Sequence, residues 1–382
     1  MITAKQVLTN KCFCPMPWAG LMYNFDGTVK NCIRSAGPIG NVKNNSIEEI
    51  LHGAVNADTQ QSMLQDQPGS NCYPCYELEG SKQKHNIVSD RIFYIKELKR
   101  IPLDVYRPGN HELNAIDVRW SNLCNFACVY CSPEYSSQWA SELKVFAITP
   151  DNTQKENFKK YIFDHAPQLK HVYLAGGEPL LMKENLELLG RLQQTNPDVN
   201  LRINTNLSKV DTKVFDLICE FKNVHWTVSV ETMDNEFEYI RYGGRWQDFL
   251  DNLSRIKQLD HKISFNMLWF LLNYKSLFDC VDFFRAQGFH PNSFVIGALL
   301  TPLHLNIRHL PNTVLKSLEA VLVDRIEQHP GYLLEDSYTN LLRYIQQPFD
   351  KTLEQSLTKI AKLDQRRGID SKKIFKDLYK LI

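Results

Sequence analysis

From about residue 112 onward, β-rich runs alternate with amphipathic helical patterns, and a chain written this way has few folds open to it. The runs are Ala115 to Trp120, His171 to Ala175, Leu201 to Asn206, Val224 to Glu231, Lys262 to Trp269 and Phe294 to Leu299. Helical patterns lie between them, as at Leu186, Leu189 and Leu192, and beyond them, as at Val314, Leu315, Leu318, Leu322 and Ile326. The alternation predicts a parallel array, either an open sheet or an incomplete barrel. Past residue 310 the pattern is mainly helical to the end.

Side chains alternate between the two faces of a strand, and here the faces differ in kind. Ile116 and Val118, Leu201 and Ile203, Val228 and Val230, and Ile263 and Phe265 form an apolar set. Their alternates are Asp117 and Arg119, Arg202, Asn204 and Asn206, Thr227, Ser229 and Glu231, and Ser264 and Asn266. Closed barrels of this kind usually fill their interior with branched apolar residues. A polar inner face therefore points to a wide lumen that holds water or a polar ligand. The alternative is a sheet with one solvated face, which parallel sheets flanked by helices seldom have.

The chain has 382 residues, 43% of them apolar, enough for one large unit plus a smaller one. Its 44 lysines and arginines nearly balance 43 aspartates and glutamates, so no overall field favours nucleic acid or an anionic membrane. Met1 to Cys12 holds no apolar core of signal-peptide length, and no later run reaches the roughly 20 apolar residues of a membrane span. A cytoplasmic location is expected. The first 80 or so residues are rich in glycine, proline, asparagine and cysteine, with a strand-like run Leu21 to Phe25 and a turn at Asp26-Gly27. A basic helical stretch from Lys82 to Arg100 follows, then a loop with Pro102, Pro108 and Gly109. Its basic face, and the tail residues Arg366, Arg367, Lys372 and Lys373, read as solvated helix surface.

Ten cysteines without a secretory signal argue for metal binding over a disulfide framework. Cys219 and Cys280 stand alone in apolar helical patterns, where a buried small hydrophobe is the ordinary role. Directly after the first strand comes Cys124-Asn125-Phe126-Ala127-Cys128-Val129-Tyr130-Cys131, a CxxxCxxC loop. Three thiolates on one short loop can hold three irons of a 4Fe-4S cube and leave the fourth open to an outside ligand. The loop also lies at the carboxyl end of a strand, where parallel α/β folds bind ligands. Zinc between two knuckles, Cys72/Cys75 and Cys128/Cys131, is the other reading; it leaves Cys124 unexplained.

CxxxCxxC with an aromatic, Tyr130, just before the last cysteine resembles the radical S-adenosylmethionine (SAM) superfamily. A second motif agrees: Ala175-Gly176-Gly177-Glu178-Pro179, after the second strand, resembles that superfamily's GGEP segment. The resemblance implies a (β/α)6 partial TIM-like barrel, with SAM chelating the open iron and the GGEP segment touching its amino group. Asn204-Thr205-Asn206 resembles the TNG segment, with Leu207 where glycine is common, and Ser229-Val230-Glu231 resembles Ser-x-Asp with glutamate for aspartate. Arg241 stands where relatives carry a basic residue after that strand. By resemblance, then, Cys124, Cys128 and Cys131 hold the cluster, and Tyr130, Gly176, Gly177, Glu178, Asn204, Asn206, Ser229 and Arg241 surround SAM.

The amino-terminal cysteines follow a second known order. Cys14-Pro15-Met16-Pro17-Trp18, Asp26-Gly27-Thr28-Val29, Cys32, Gly40-Asn41-Val42 and Cys72-Tyr73-Pro74-Cys75 resemble a SPASM or twitch module, which in relatives usually follows the barrel. Cys14, Cys32, Cys72 and Cys75 suffice for one closed auxiliary 4Fe-4S cluster, suited to electron transfer. Four cysteines on zinc remain the alternative there. Cys12 is spare; it could replace Cys14 as a ligand, donate a hydrogen atom or be inert.

The expected architecture is α/β: an iron-sulfur module over 1–81, a helical linker over 82–111, the barrel over 112–309 and a helical region over 310–382. The implied chemistry is reductive cleavage of SAM to a 5′-deoxyadenosyl radical, which takes a hydrogen atom from a peptide or a small molecule in the lumen. A flavodoxin- or ferredoxin-type donor would supply the electron. Only 11 residues precede Cys12, so an amino-terminal peptide-recognition domain is not expected. The rival from another class is a non-catalytic iron-sulfur electron carrier or zinc protein on the same scaffold.

Overall fold

The structure is a computed structural model that describes residues 9–80, 89–146, 151–349 and 352–382. The strands are β1 (Gly20–Asn24), β2 (Thr28–Lys30), β3 (Gly40–Asn41), β4 (Ala115–Arg119), β5 (His171–Leu174), β6 (Asn200–Thr205), β7 (Val224–Ser229), β8 (Lys262–Trp269) and β9 (Phe294–Ala298). They form one sheet in the order β3-β2-β1-β4-β5-β6-β7-β8-β9. From β4 to β9 every pairing is parallel, the six strands expected from the pattern. Several stop one or two residues early because the loops that follow them turn the backbone away at Trp120, Ala175, Asn206 and Val230.

Among the helices are α1 (Tyr73–Gly80), α2 (Asp90–Glu97), α3 (Ser137–Leu143), α4 (Asn152–His165), α5 (Lys183–Thr195), α6 (Lys213–Cys219), α7 (Asp234–Ile240), α8 (Trp246–Lys257), α9 (Ser276–Ala286), α10 (Asn312–Glu327), α11 (Leu333–Ile345) and α12 (Leu353–Arg367). Those between strands cover the apolar face, where Val118, Leu174, Ile203, Trp226, Val228 and Phe265 are fully buried. Cys280 of α9 is buried in that core and Cys219 packs against it. The opposite face is the polar one. In register across it stand Asp117, Tyr173, Arg202 and His225, and above them Asn204, Thr227 and Ser264. Arg202 and Asn266 are exposed on this face, so the six-stranded partial barrel has an open polar lumen. Among the described residues no helix is long and apolar enough to cross a membrane.

The amino-terminal module is joined to this sheet. β1 and β2 form an antiparallel hairpin whose turn uses Gly27 at φ +88°, with Asp26 Oδ1 accepting from Thr28 N at 2.9 Å. β1 then pairs in parallel with β4 from Gly20↔Ala115 to Asn24↔Arg119. Tyr23 stacks on Phe158 of α4 with ring centroids 3.9 Å apart, which merges the two cores.

Of the two expected solvated surfaces, Lys96, Lys99, Arg100, Arg366, Lys372 and Lys373 are exposed, but one arginine of each is buried. Residues 82–88 of the basic stretch lie outside the described residues, but Arg91 on α2 is buried. Its Nε donates to Glu79 Oε1 at 2.9 Å and its Nη1 to the Phe13 carbonyl at 2.8 Å. Ser89 caps α2 by accepting from Ile92 N, and Phe93 and Tyr94 set their rings edge-on to His171 at the foot of β5. Arg367, at the end of α12, has a side chain only 1% exposed.

Candidate active site

The three-cysteine loop leaves β4 through Ser121 and crosses the carboxyl end of β5. There Glu178 N donates to the Leu123 carbonyl at 2.7 Å, and Gly177 N points at the Ser121 carbonyl at 3.4 Å. Gly176 turns the chain at φ +116°. At Gly177 the missing side chain is filled by backbone: a Cβ there would sit 2.2 Å from the Leu123 oxygen. The close approach that these glycines permit is thus loop against loop. Behind the loop, Ser137 Oγ accepts from Cys124 N at 3.1 Å, and Trp139 Nε1 donates to the Cys128 carbonyl at 2.7 Å. From the far end of the chain, Arg367 Nη2 donates to the Ala127 carbonyl at 2.8 Å. Its guanidinium lies 4.5 Å from the Trp139 ring centroid and 4.2 Å from that of Tyr242, and it pairs with Glu142.

These contacts hold Cys124, Cys128 and Cys131 together in a poorly solvated spot, Cys128 buried and the other two half-buried. Burial pushes all three thiols up, Cys124 to about 12, with the neighbouring thiols adding to it at Cys124 and Cys128 and Glu134 adding to it at Cys131. Thiols in such a place keep their protons unless a metal displaces them. Asn206 Nδ2 lies 3.8 Å from Cys124 Sγ and 3.2 Å from Asn125 Oδ1.

Glu178 is fully buried, and its carboxylate faces into the protein. It accepts from Thr205 Oγ1 at 2.7 Å, from Asn206 N at 2.7 Å and from Leu180 N at 3.2 Å. Burial outweighs these donors and raises it to about 7. It ties the end of β5 to the end of β6. Leu207, next along, takes the left-handed conformation at φ +55°, with its N–H on Thr205 Oγ1 at 2.8 Å. The turn that glycine would favour is kept without glycine.

The four amino-terminal cysteines also converge. Cys14, Cys32, Cys72 and Cys75 line one small cavity, with Arg34, Tyr76, Asp90, Arg91 and Tyr94 around it. Burial is the largest influence on each and raises them, Cys32 to about 12 and Cys72 to about 11. Cys12 is not among the lining residues; its carbonyl accepts from Tyr76 OH at 2.8 Å.

Residues 118–284 match the model of the radical SAM superfamily, and residues 12–76 match that of an iron-sulfur cluster-binding domain, SPASM. The chain carries a radical SAM domain preceded by a SPASM domain. It is similar to a GTP 3′,8-cyclase of Campylobacter lari, 22% identical over 167 residues, which are 43% of this chain and 49% of that one. A GTP 3′,8-cyclase of Listeria monocytogenes is 26% identical over 145 residues, 38% of this chain and 41% of that one. The chain therefore spans at most about half the length of these relatives. Among solved structures, anSMEcpe with bound AdoMet gives a TM-score of 0.42 at 17% identity, over 56% of this chain and 60% of that one. Streptococcus suis SuiB bound to S-adenosylmethionine gives 0.38 at 16% identity, over 62% and 51%.

A radical SAM domain makes the chain an enzyme, with SAM and a 4Fe-4S cluster as cofactors and an auxiliary iron-sulfur cluster on the SPASM domain. Among the described residues no three His, Cys, Asp or Glu side chains are placed to share a single metal ion, but two sets of cysteines suit the wider spacing of clusters. Each set of cysteines is grouped and desolvated, and Asn204 Oδ1, at the end of β6, is buried with no hydrogen-bond partner among the described residues. Other candidates are engaged otherwise than expected. Arg241, 3% exposed, places Nε 2.7 Å from Glu231 Oε2 and Nη2 2.6 Å from Oε1, and Tyr130 OH donates to Glu231 Oε1 at 2.9 Å. Arg241 and Tyr130 thus form a buried unit with Glu231 beside Cys128, and Arg241 opposes the rise in that thiol's pKa. Ser229 is half-buried in register with Asn266. The sequence alone gives Thr205 and Arg367 no role at the site, naming Thr205 only within the TNG-like segment and Arg367 only as solvated surface. Thr205 had a signal, a polar residue on the face of Leu201 and Ile203. Arg367 had none, since it meets the loop from 240 residues away.

Proposed function

We propose that this radical SAM enzyme holds its SAM-binding 4Fe-4S cluster on Cys124, Cys128 and Cys131 and an auxiliary cluster on Cys14, Cys32, Cys72 and Cys75. The reading rests on one observation above others: the three-cysteine loop is built on the GGEP turn, which Glu178 ties in turn to the end of β6. Bound there, the cluster and SAM would supply one-electron reductive cleavage of SAM and, from it, radical abstraction of a hydrogen atom from a peptide or small-molecule substrate. The chain's own residues orient and exclude. Gly176 and Gly177 bring backbone amides to the loop, Glu178 fixes the strand ends, and the Tyr130–Glu231–Arg241 unit packs behind Cys128. Asn204 offers its unpartnered oxygen to SAM, with Asn206 and Ser229 beside it. The auxiliary cluster serves electron transfer, and a flavodoxin- or ferredoxin-type protein in the cytoplasm supplies the reductant.

The units that do this are an auxiliary module over 1–81, a linker over 82–111, the barrel over 112–309 and a helical region over 310–382. The name of the curated relatives supports a nucleotide or similar small molecule; the SPASM match supports a peptide. Anaerobic reconstitution with iron and sulfide should give about eight irons per chain, as two four-iron clusters require. Dithionite and SAM should then release 5′-deoxyadenosine, and C128A should not. A well-reduced, fully loaded protein that leaves SAM intact would refute the enzyme reading and leave the electron-carrier one.

A further inference from the structure

We propose that the floor of the lumen is an oxyanion seat centred on Arg202, so that the substrate of this enzyme carries a carboxylate or phosphate group. The inference rests on the function proposed above and names the substrate's chemistry. Arg202 lies on the inner face of β6, in register with Tyr173 of β5 and His225 of β7. Two contacts hold its side chain: Nε donates to Thr227 Oγ1 at 3.1 Å, and the guanidinium carbon lies 5.6 Å from the Tyr173 ring centroid. Among the described residues its two terminal nitrogens have no hydrogen-bond partner, and no carboxylate pairs with it. A guanidinium oriented at its stem and free at its fork matches a carboxylate or phosphate in two parallel hydrogen bonds.

Among the described residues no acid bonds directly to that cation, although Asp117 lies near enough to feel its charge. Asp117, on the same face, is taken by Arg119 through contacts of 3.2 and 3.3 Å, and Asp90 by Arg34 at 2.9 Å. His225 accepts or donates at Ser264 Oγ, 2.8 Å away, and burial with Arg202 and Lys262 nearby keeps it neutral. Next in the row is Lys262, exposed. The seat thus presents positive charge and neutral donors with no free acid.

Its height also fits. Arg202 is four residues before Asn206, whose amide meets Cys124, and at ~3.3 Å per strand residue that is roughly 13 Å. A substrate anchored by its anionic end at the floor extends upward from there toward the radical site.

The test uses the full chain with both clusters reconstituted and SAM present, without reductant, so that binding is read apart from SAM cleavage. Inorganic phosphate and glutarate are titrated by calorimetry at low ionic strength. At least one should bind, at least tenfold more weakly in R202M and less weakened in R202K, while T227V, which frees Nε, should lose about threefold. Phosphate alone would mark a phosphorylated substrate, glutarate alone a carboxylate-bearing one. Equal binding by wild type and all three variants, or no binding of either anion to wild type, overturns the seat. Failure of wild type to release 5′-deoxyadenosine under dithionite would instead overturn the enzyme reading and leave the anion result standing.

Discussion

Replacing Gly177 by alanine tests whether the GGEP turn is the foundation of the cysteine loop. No positive φ stands in the way, so the effect is purely steric. The new methyl would lie 2.2 Å from the Leu123 oxygen, 2.6 Å from its carbon and 2.8 Å from the Asn122 carbonyl carbon. Relief to ordinary contact needs a shift of about 1 Å in backbone that leads straight into Cys124. The Glu178 N to Leu123 O bond, now 2.7 Å, would stretch past the ~3.2 Å limit of a good bond. Overpacking of this kind costs about 1–3 kcal/mol, a fall of a few degrees in the melting temperature of the apo chain. The larger expected effect is on loading: G177A should lose most of the reduced cluster's electron paramagnetic resonance signal and about four irons, with the auxiliary cluster kept. G190A is the control. Gly190 is inside α5 with nothing within 4 Å of its absent Cβ, and alanine there should stabilise by roughly 0.5–1 kcal/mol and leave both clusters intact. If G177A matched the wild type in melting temperature and cluster signal, the glycine would not be there to seat the loop.

Three further outcomes follow from individual contacts. C72A should cut iron by about half and spare the signal of the SAM-binding cluster; full iron retention would show that Cys72 is no ligand. R367M should remove the Ala127 bond and leave Glu142 without its main partner, costing about 1–3 kcal/mol and lowering iron at the three-cysteine loop. R366M, at a side chain 44% exposed, should change neither, as melting and iron assays on both variants would show. Glu178 gives a pH dependence. Its folded pKa of about 7 lies above the ordinary glutamate value of 4.5, so folding takes up a proton between those values and stability falls as pH rises through them. The stability advantage of wild type over E178Q in the apo chain should therefore shrink from pH 5 to pH 8, by up to ~1.4 kcal/mol per pH unit; an advantage that grew would contradict the assignment.

The parts of this fold that sequence made legible are those written in local period or spacing. Alternation placed Ile116 and Val118 against the helices and Asp117 and Arg119 in the lumen, and the register across β4 to β7 keeps that division. Spacing grouped Cys124, Cys128 and Cys131. What was illegible depends on which distant segments meet. Gly177 belongs to a segment that the resemblance sets against SAM, and nothing in the sequence shows that its missing side chain also makes room for Leu123. Arg91 and Arg367 looked like solvated charges because a helical wheel shows only polarity, whereas each reaches a carbonyl and a carboxylate brought from elsewhere. The choice between Cys12 and Cys14 turned on which thiol faces the shared cavity, and two residues' separation along the chain does not fix that.

The place of the SPASM domain ahead of the barrel follows from the edges of the sheet. An open six-stranded parallel barrel has two, at β4 and at β9, and each exposes unpaired backbone groups that must be covered. At β9, α11 lies alongside and Ser337 Oγ accepts from Ile296 N at 3.2 Å. At β4 the cover is β1, paired over five residues and carried on the segment between Cys14 and Cys32. Pairing to an edge strand depends on the register of two backbones and is indifferent to which segment comes first in the chain. The module can therefore precede the barrel and still be fixed to it, with Tyr94 of α2 lining the thiol cavity on one side and meeting His171 of β5 on the other. The same hairpin that covers this edge thus sets the auxiliary cysteines against Tyr94, whose ring meets the foot of β5.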